Sequence, residues 1–234
     1  MKIIIAPSKT MKYRDYGFHT TDLLFPKETS YLHTLLKQYN DEQLCEVMHI
    51  SYKQATQVYD YYHLDQRAYP ALSLYQGTVF KQLEINKYHN HLDYLYHHVN
   101  IMSAYYGVLH YNTAITPYRL DMTMKLPIQL YDFWYTPIYQ YFEKEDFIIS
   151  LASQEFTSMI RHPHLYFIDF IEDDHGKLKR NAMIIKKARG QMLNLMILNE
   201  IQTLDNIKTL NIDGFVYNED LSHEYQLAFV REKV

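Results

Sequence analysis

The chain has 234 residues, 47% of them hydrophobic, and a net charge of −4, which fits one large globular domain that buries its own core. A single cysteine excludes an internal disulfide and a four-cysteine zinc site, as is typical of proteins from a reducing cytoplasm. No apolar run approaches the roughly 18 residues that a membrane span requires, and the short apolar start lacks the cleavage pattern of a signal peptide.

The glycines exclude three common enzyme signatures. There are only six glycines, and no two of them are closely spaced. A dinucleotide-binding fingerprint, a Walker A loop and a nucleophile elbow each need neighbouring glycines, which turn the backbone sharply or bring it close to phosphate. We therefore expect none of these sites. The 24 tyrosines are scattered along the chain, and we interpret them as a compositional bias.

Hydrophobic periodicity predicts strands and helices that alternate irregularly. Strands are predicted at 2–6, 71–75, 147–151, 165–171, 177–185, 215–217 and 226–230. Helices are predicted after Pro26, at 41–49, 52–67 and 88–99, from Thr136-Pro137 onward, and along the stripe Ala188, Met192, Leu195 and Met196. Capping-box spacing is found at Asn40 with Gln43 and at Ser51 with Gln54. Because no linker divides the sequence, we predict a single α+β domain over residues 1–234.

Positive charge is concentrated between residues 175 and 199. This segment holds six of the 23 Lys and Arg residues and no carboxylate, which leaves 17 cations against 27 Asp and Glu in the rest of the chain. Lys186, Lys187 and Arg189 are predicted to lie where a strand leads into a helix, and cations at a helix start oppose the helix dipole. Since a chain that accepts this cost has a use for the cluster, we expect an anion-binding surface with phosphate as its natural partner.

Two further segments offer groups suited to an anion. Ser8, Lys9 and Thr10 directly follow the first predicted strand, and their hydroxyls, backbone N–H groups and ammonium can bind phosphate. An ordinary capped turn is the alternative there. Arg119 lies between apolar neighbours and needs an acceptor, which is either a carboxylate such as Asp121 or a phosphate.

Metal-binding patterns are weak in this sequence. The segment 89–98 contains four histidines, but their spacing does not place two ligands on one helix face. Glu46 and His49 match half of a di-iron motif, whose other half and two further glutamates are missing. We therefore predict no metal site.

Eight segments match the motifs of one known family, in that family's order. They are Ala6-Pro7-Ser8-Lys9-Thr10, then residues 75–80, 103–109, 117–122, 131–134, 151–156, Lys186-Lys187-Ala188-Arg189-Gly190, and residues 214–220. On these motifs the chain resembles the YaaA family of peroxide-stress-resistance proteins, from Lys2 to about Val230.

The resemblance implies a mixed, barrel-like twisted sheet surrounded by helices, a helix-hairpin-helix-like element and a positively charged cleft. It also implies DNA binding without a cofactor, and a cytoplasmic role in limiting damage from free iron during peroxide stress. The motif match implies that Lys9, Thr10, Arg119, Lys186, Lys187 and Arg189 line this cleft. Together with Ser8 and Tyr118, they are the predicted DNA- or phosphate-binding residues.

The chain departs from the family's motifs at several positions. His110 stands where the family usually has an arginine, and Thr78 stands where it usually has an aspartate. The family's Ser-Asp-Glu-Tyr is here Ser153-Gln154-Glu155-Phe156. The two lost acids are therefore not essential catalytic carboxylates, whereas Glu155 stays a candidate.

Three functions are compatible with this sequence. The first is a non-enzymatic DNA-binding protein whose cations contact backbone phosphates, so that binding is sequence-tolerant and salt-sensitive. The second is an enzyme acting on a nucleotide, nucleoside or nucleic-acid base, with Glu155 as acid or base and a base stacked on Tyr118 or Trp134. Glu155 could instead be a partner for Arg119. In the simplest interpretation, Ser153 caps a helix and Glu155 only favours its first turn through the helix dipole. The third function, direct iron binding, is disfavoured by the single Glu-x-x-His.

Overall fold

The structure is a computed structural model that describes residues 1–233. The strands are β1 (Lys2–Ile5), β2 (Tyr69–Pro70), β3 (Val99–Ser103), β4 (Gly107–Leu109), β5 (Ala114–Ile115), β6 (Ile148–Ser150), β7 (Leu165–Asp174), β8 (Lys177–Lys179), β9 (Val216–His223) and β10 (Gln226–Glu232). The helices are α1 (Pro26–Leu36), α2 (Asp41–Met48), α3 (Tyr52–His63), α4 (Ala71–Leu74), α5 (Leu92–His98), α6 (Leu130–Phe142), α7 (Gln154–Thr157), α8 (Ala182–Leu198) and α9 (Leu204–Lys208). Short 3₁₀ turns lie at Phe80–Gln82 and Ile85–Asn90.

A mixed eight-stranded sheet organises the α+β domain, as the sequence predicts. Its strand order is β4-β3-β1-β6-β7-β10-β9, and β8 pairs with β7 beside this path. The central strands β3, β1, β6, β7 and β10 are parallel, whereas β4, β8 and β9 pair antiparallel with their neighbours. Because the strand order begins at β4 and ends at β9, the sheet is open. The expected barrel-like sheet is therefore not a closed barrel.

The central strands of the sheet lie in the interior of the molecule. Ile3, Ile4 and Ile5 of β1 are at most 1% exposed, so both faces of this strand are covered. Such continuous apolar strands are typical of parallel sheets packed between helices. None of the helices within residues 1–233 combines the length and the apolar composition needed to cross a bilayer.

The two predicted capping boxes are confirmed, and they start the two helices of a helical hairpin. The Asn40 side chain accepts from the Gln43 N–H at the start of α2, and the Ser51 side chain accepts from the Gln54 N–H at the start of α3. His49 ends α2 with a left-handed backbone (φ 50°), which turns the chain within three residues. The two helices pack against each other as a helical hairpin, and a helix-hairpin-helix-like element stays a prediction of the resemblance.

Two predicted elements are wrong. The apolar run 71–75 contains helix α4 rather than a strand, and periodicity cannot separate the two for a short buried run. Pro137 does not start a helix but lies inside α6, which begins at Leu130. Trp134 and Ile138 are fully buried one turn apart on that helix, and their burial offsets the hydrogen bond that Pro137 cannot donate.

The strand predicted at 177–185 is also shorter than expected. β8 ends at Lys179, and the Asn181 side chain accepts from the N–H groups of Met183 and Ile184 to cap α8. The lysines and the arginine of residues 186–189 therefore lie in the second and third turns of α8. These cations therefore oppose the helix dipole only weakly, since the effect of the dipole is confined to the first turn, and their position in α8 does not by itself indicate an anion site.

Candidate functional site

Two adjoining cavities lie where the chain leaves the carboxyl ends of β1 and β6. The loop after β1 (residues 6–11) and the segment after β6 (residues 151–156) line both of them. Since β1 and β6 are parallel neighbours, their carboxyl ends share one edge of the sheet, where α/β proteins commonly bind ligands. We call them the large cavity, of about 340 Å³, and the small cavity, of about 60 Å³.

The two cavities share a wall and bring together cations that are distant in sequence. Ser8, Lys9 and Glu155 line both cavities. The large cavity adds Lys186 and Arg189 from α8, together with an apolar lining from Val79, Phe80, Leu151 and Phe156. The small cavity adds Tyr118, Arg119, Leu120 and Asp121. We refer to Lys9, Arg119, Lys186 and Arg189 as the cleft cations.

Three of the cleft cations have no carboxylate partner. Among residues 1–233, neither Arg119, Lys186 nor Arg189 forms a salt bridge. The Nε atoms of Arg119 and Arg189 are buried without a hydrogen-bond partner in this part of the chain. A buried N–H donor is costly to leave unpaired, so an anionic ligand that accepts from these two Nε atoms would be favourable.

Lys9 and Arg189 have different environments. Lys9 Nζ donates to Asp121 Oδ2 over 2.6 Å, which partly neutralises the small cavity. Burial lowers the pKa of Arg189, and the charge of Asp169 opposes this shift. Arg189 stays charged near neutral pH because an arginine starts from a very high pKa.

Two glycines allow the segments that line the large cavity to pack closely against each other. A Cβ atom on Gly190 would lie 2.3 Å from the carbonyl oxygen of Val79, and one on Gly77 would lie 2.5 Å from Ser8 Oγ. Any larger residue at these two positions would push the walls of the large cavity apart. This packing role was not predicted from the sequence, although both glycines lie within motif segments, residues 75–80 and 186–190, which were the available signal.

Glu155 has the properties of a proton-exchanging group. Its Oε1 atom accepts the backbone N–H of Met122 over 2.9 Å. Burial raises the pKa of the Glu155 carboxyl and the charge of Asp121 raises it further, whereas the Met122 hydrogen bond and the charge of Lys9 lower it. A half-buried carboxyl with a raised pKa can give or take a proton closer to neutral pH than an ordinary glutamate.

A buried tyrosine cluster holds the segment that carries Arg119. Tyr62 Oη donates to the carbonyl oxygen of Arg119 over 2.7 Å and accepts the N–H of the same residue over 3.2 Å. Tyr118 Oη is 2.8 Å from Tyr75 Oη and accepts a hydrogen bond from Ser103 Oγ. Some of the tyrosines interpreted as compositional bias therefore form a support for the cleft, which no local sequence pattern indicates.

Base stacking on Tyr118 or Trp134 is excluded by their burial. Tyr118 is 4% exposed and Trp134 is 0% exposed. Tyr118 borders the small cavity with a hydroxyl already engaged in the tyrosine cluster. Trp134 Nε1 donates to the carbonyl oxygen of Ala104 inside the core.

Two sequence-predicted site residues line neither cavity. Lys187 Nζ lies 3.4 Å from Asp213 Oδ2 and is directed away from its neighbour Lys186. Thr10 is exposed, its N–H donates to Ser8 Oγ, and its carbonyl oxygen accepts from the Gln76 N–H. Thr10 therefore shapes the loop that carries Ser8 and Lys9.

The histidine-rich segment makes structural contacts. His91 Nδ1 lies 2.9 Å from Glu200 Oε1, and His98 Nδ1 lies 2.9 Å from the carbonyl oxygen of Met1. Within residues 1–233, no three His, Cys, Asp or Glu side chains are grouped closely enough to hold a metal ion.

Comparison with known proteins agrees with the motifs. The family described as "Peroxide stress protein YaaA" matches residues 1–221. A UPF0246 protein of Streptococcus pneumoniae is 35% identical over 244 residues, which cover 99% of this chain and 100% of the relative. UPF0246 proteins of Rickettsia felis and Fusobacterium nucleatum are 34% and 32% identical, and each match covers 99% or more of both chains. The chain therefore belongs to the YaaA family of peroxide stress proteins.

Proposed function

We propose that this chain protects DNA in the cytoplasm during peroxide stress by binding the sugar-phosphate backbone at the cleft, and that this limits damage from free iron. The observation that carries the proposal is that Arg119 and Arg189 line adjoining cavities and that their buried Nε atoms have no partner among residues 1–233. Arginine and lysine side chains that meet without carboxylate partners are the groups that bind phosphate in proteins.

The overall charge of −4 does not oppose this function, because the cations are concentrated locally. The cleft combines four cationic side chains with the carboxylates of Asp121 and Glu155, so its local charge is positive. Contacts to phosphates position a duplex without reading its bases, and binding is therefore sequence-tolerant.

The test is a titration of the full chain with unrelated duplex DNAs over a range of salt concentrations. With three to four phosphate contacts, the logarithm of the association constant should fall with log[salt] at a slope of about −3 to −4. Affinity should not depend on sequence. Binding that is absent at low salt, or that does not respond to salt, would contradict the proposal.

Glu155 favours a second candidate function. A carboxyl with a raised pKa that lines both cavities is suited to proton transfer in an enzyme acting on a nucleotide, nucleoside or nucleic-acid base. The cleft cations would then hold the phosphate of the substrate.

The variant Glu155→Gln separates the two functions, since glutamine keeps the acceptor for the Met122 N–H and cannot exchange a proton. If the chain only binds DNA, the variant retains both DNA affinity and protection of cells against peroxide. If the chain is an enzyme, the variant retains DNA affinity and loses protection.

A further inference from the structure

The cleft consists of two cavities of unequal size, and this limits what can enter it. A volume of 340 Å³ is at the lower end of the range for small-molecule sites. The small cavity, at 60 Å³, has room for roughly two water molecules, whose share of liquid volume is about 30 Å³ each. A stacked base pair does not fit either space, so a base enters only after it leaves the duplex stack.

The lining of the large cavity suits a base and sugar better than phosphate alone. Val79, Phe80, Leu151 and Phe156 give it apolar walls, while Ser8, Ser153 and Glu155 add hydrogen-bonding side chains. Ser153 precedes α7, but its side chain makes no capping hydrogen bond and stays available. Apolar walls with a few polar groups are typical of pockets that bind a planar organic ligand.

The cations are placed on two sides of this space. Lys186 and Arg189 line only the large cavity, Arg119 lines only the small one, and Lys9 lies in the wall that they share. A nucleotide within a strand has a phosphate on each side of its sugar. The two groups of cations therefore match a ligand with two separated anionic groups.

We propose that the large cavity receives one unstacked nucleotide of a DNA strand, with its flanking phosphates held by Arg189 and Lys186 on one side and by Arg119 and Lys9 on the other. This inference rests on the proposed DNA binding and specifies the part of DNA that the cleft binds. Glu155 and the two serines would contact the edge of the base.

The first test uses a duplex that carries the fluorescent base analogue aminopurine, whose emission rises when it leaves the stack. We expect the intact chain to raise the emission severalfold while it binds the duplex. A single mismatch at the probed position should tighten binding about tenfold, because a mismatched base costs less to extrude. Binding with no rise in emission and no preference for the mismatch would overturn this inference and leave the proposed DNA binding intact. Absence of any binding would overturn both.

The second test fills the large cavity without altering any cation. The variant Ser153→Phe should lose both the emission change and the preference for the mismatch, so that it binds matched and mismatched duplexes equally. Ser158→Phe is the matched control, because Ser158 is exposed, lies on the same segment and lines neither cavity. Full retention of the emission change in a folded Ser153→Phe protein would show that the base does not enter this cavity, and would overturn the inference.

Discussion

Two groups of cations lie near helix α8, and they differ in what surrounds them. The cleft cations Arg119, Lys186 and Arg189 have no carboxylate partner within residues 1–233. The second group, which we call the paired cations, contacts carboxylates of β7 and of the segment before β9. It consists of Lys179, Arg180, Lys187, Arg231 and Lys233.

The difference shows why counting positive residues does not locate a binding site. Both groups contribute to the same excess of charge in the sequence, but the paired cations are largely neutralised within the fold. The pKa values of carboxyl groups in the two regions shift in opposite directions. The hydrogen bonds from Lys179 and Lys233 lower the pKa of Asp174, whereas burial raises the pKa of Glu155 in the cleft. A cation that the fold leaves without a carboxylate partner is therefore more available to an anionic ligand than a paired one.

The largest effect on binding is expected for Arg189→Met. Methionine fills a similar apolar space and removes the charge, so the affinity for duplex DNA should fall about 10- to 100-fold, the range for a hydrogen bond to a charged group. Because the buried Nε atom of Arg189 has no hydrogen-bond partner within residues 1–233, the loss of this side chain's charge should not lower the free energy of unfolding. Salt titrations and chemical denaturation measure the two quantities, and a destabilised protein with unchanged affinity would contradict the distinction between the groups.

The opposite result is expected for Arg231→Met. Arg231 Nη2 lies 3.0 Å from Glu172 Oε1, and Glu172 is only 8% exposed, so the variant leaves a buried carboxylate without its partner. The free energy of unfolding should fall by about 2 kcal/mol, somewhat less than for a fully buried pair. DNA affinity should stay unchanged. A loss of affinity in the folded variant would place the paired cations in the binding site.

A smaller effect is expected from the carboxyl of Glu155. Its pKa is raised in the folded chain above the ordinary value of 4.5, so ionisation at neutral pH disfavours folding. Glu155→Gln should therefore raise the Tm at neutral pH by about 1–3 °C. The advantage should shrink as the pH falls through the raised pKa of Glu155 towards 4.5, where the wild-type carboxyl is protonated in the folded state.

The control for this measurement is Glu143→Gln, at an exposed residue that follows α6. Its Tm should follow that of the wild type through the same pH range. A Glu155→Gln difference that grows on acidification would show that the carboxyl is stabilised in its ionised form, contrary to its buried environment.

Much of the fold was predictable because local signals decide it. The isoleucines of β1, the two capping boxes and the apolar stripe of α8 each indicate their element from adjacent residues. The errors at α4 and α6 arise where tertiary burial decides against a local signal. Burial of Trp134 and Ile138 keeps α6 helical through Pro137, although proline usually starts or breaks a helix.

The members of the cleft were predictable only in part. Ser8 and Lys9 follow the first strand, and the motif match includes Arg119, Lys186 and Arg189. The separation of Lys186 from Lys187 depends on where α8 begins, because adjacent helical residues point about 100° apart while residues three apart share a face. The sequence predicts that the helix begins near Lys186, whereas α8 begins at Ala182. The prediction therefore does not distinguish Lys186 from Lys187.

Long-range contacts set the remainder of the site. The backbone of Arg119 is held by Tyr62, 57 residues earlier in the chain, and α8 approaches the cleft because Gly190 admits the carbonyl oxygen of Val79. No spacing rule connects residues this far apart, since their contact results from the folded sheet as a whole.

The most direct measurement compares Lys186→Ala with Lys187→Ala in duplex DNA binding as a function of salt. The two lysines are neighbours of the same charge, but only Lys186 lines the large cavity, while Lys187 faces Asp213. We expect Lys186→Ala to weaken binding and to reduce the steepness of the salt dependence by about 0.9, the contribution of one phosphate contact. Lys187→Ala should leave both quantities unchanged. Equal losses from the two variants, or a larger loss from Lys187→Ala, would contradict the claim that the unpaired cations of the cleft bind DNA.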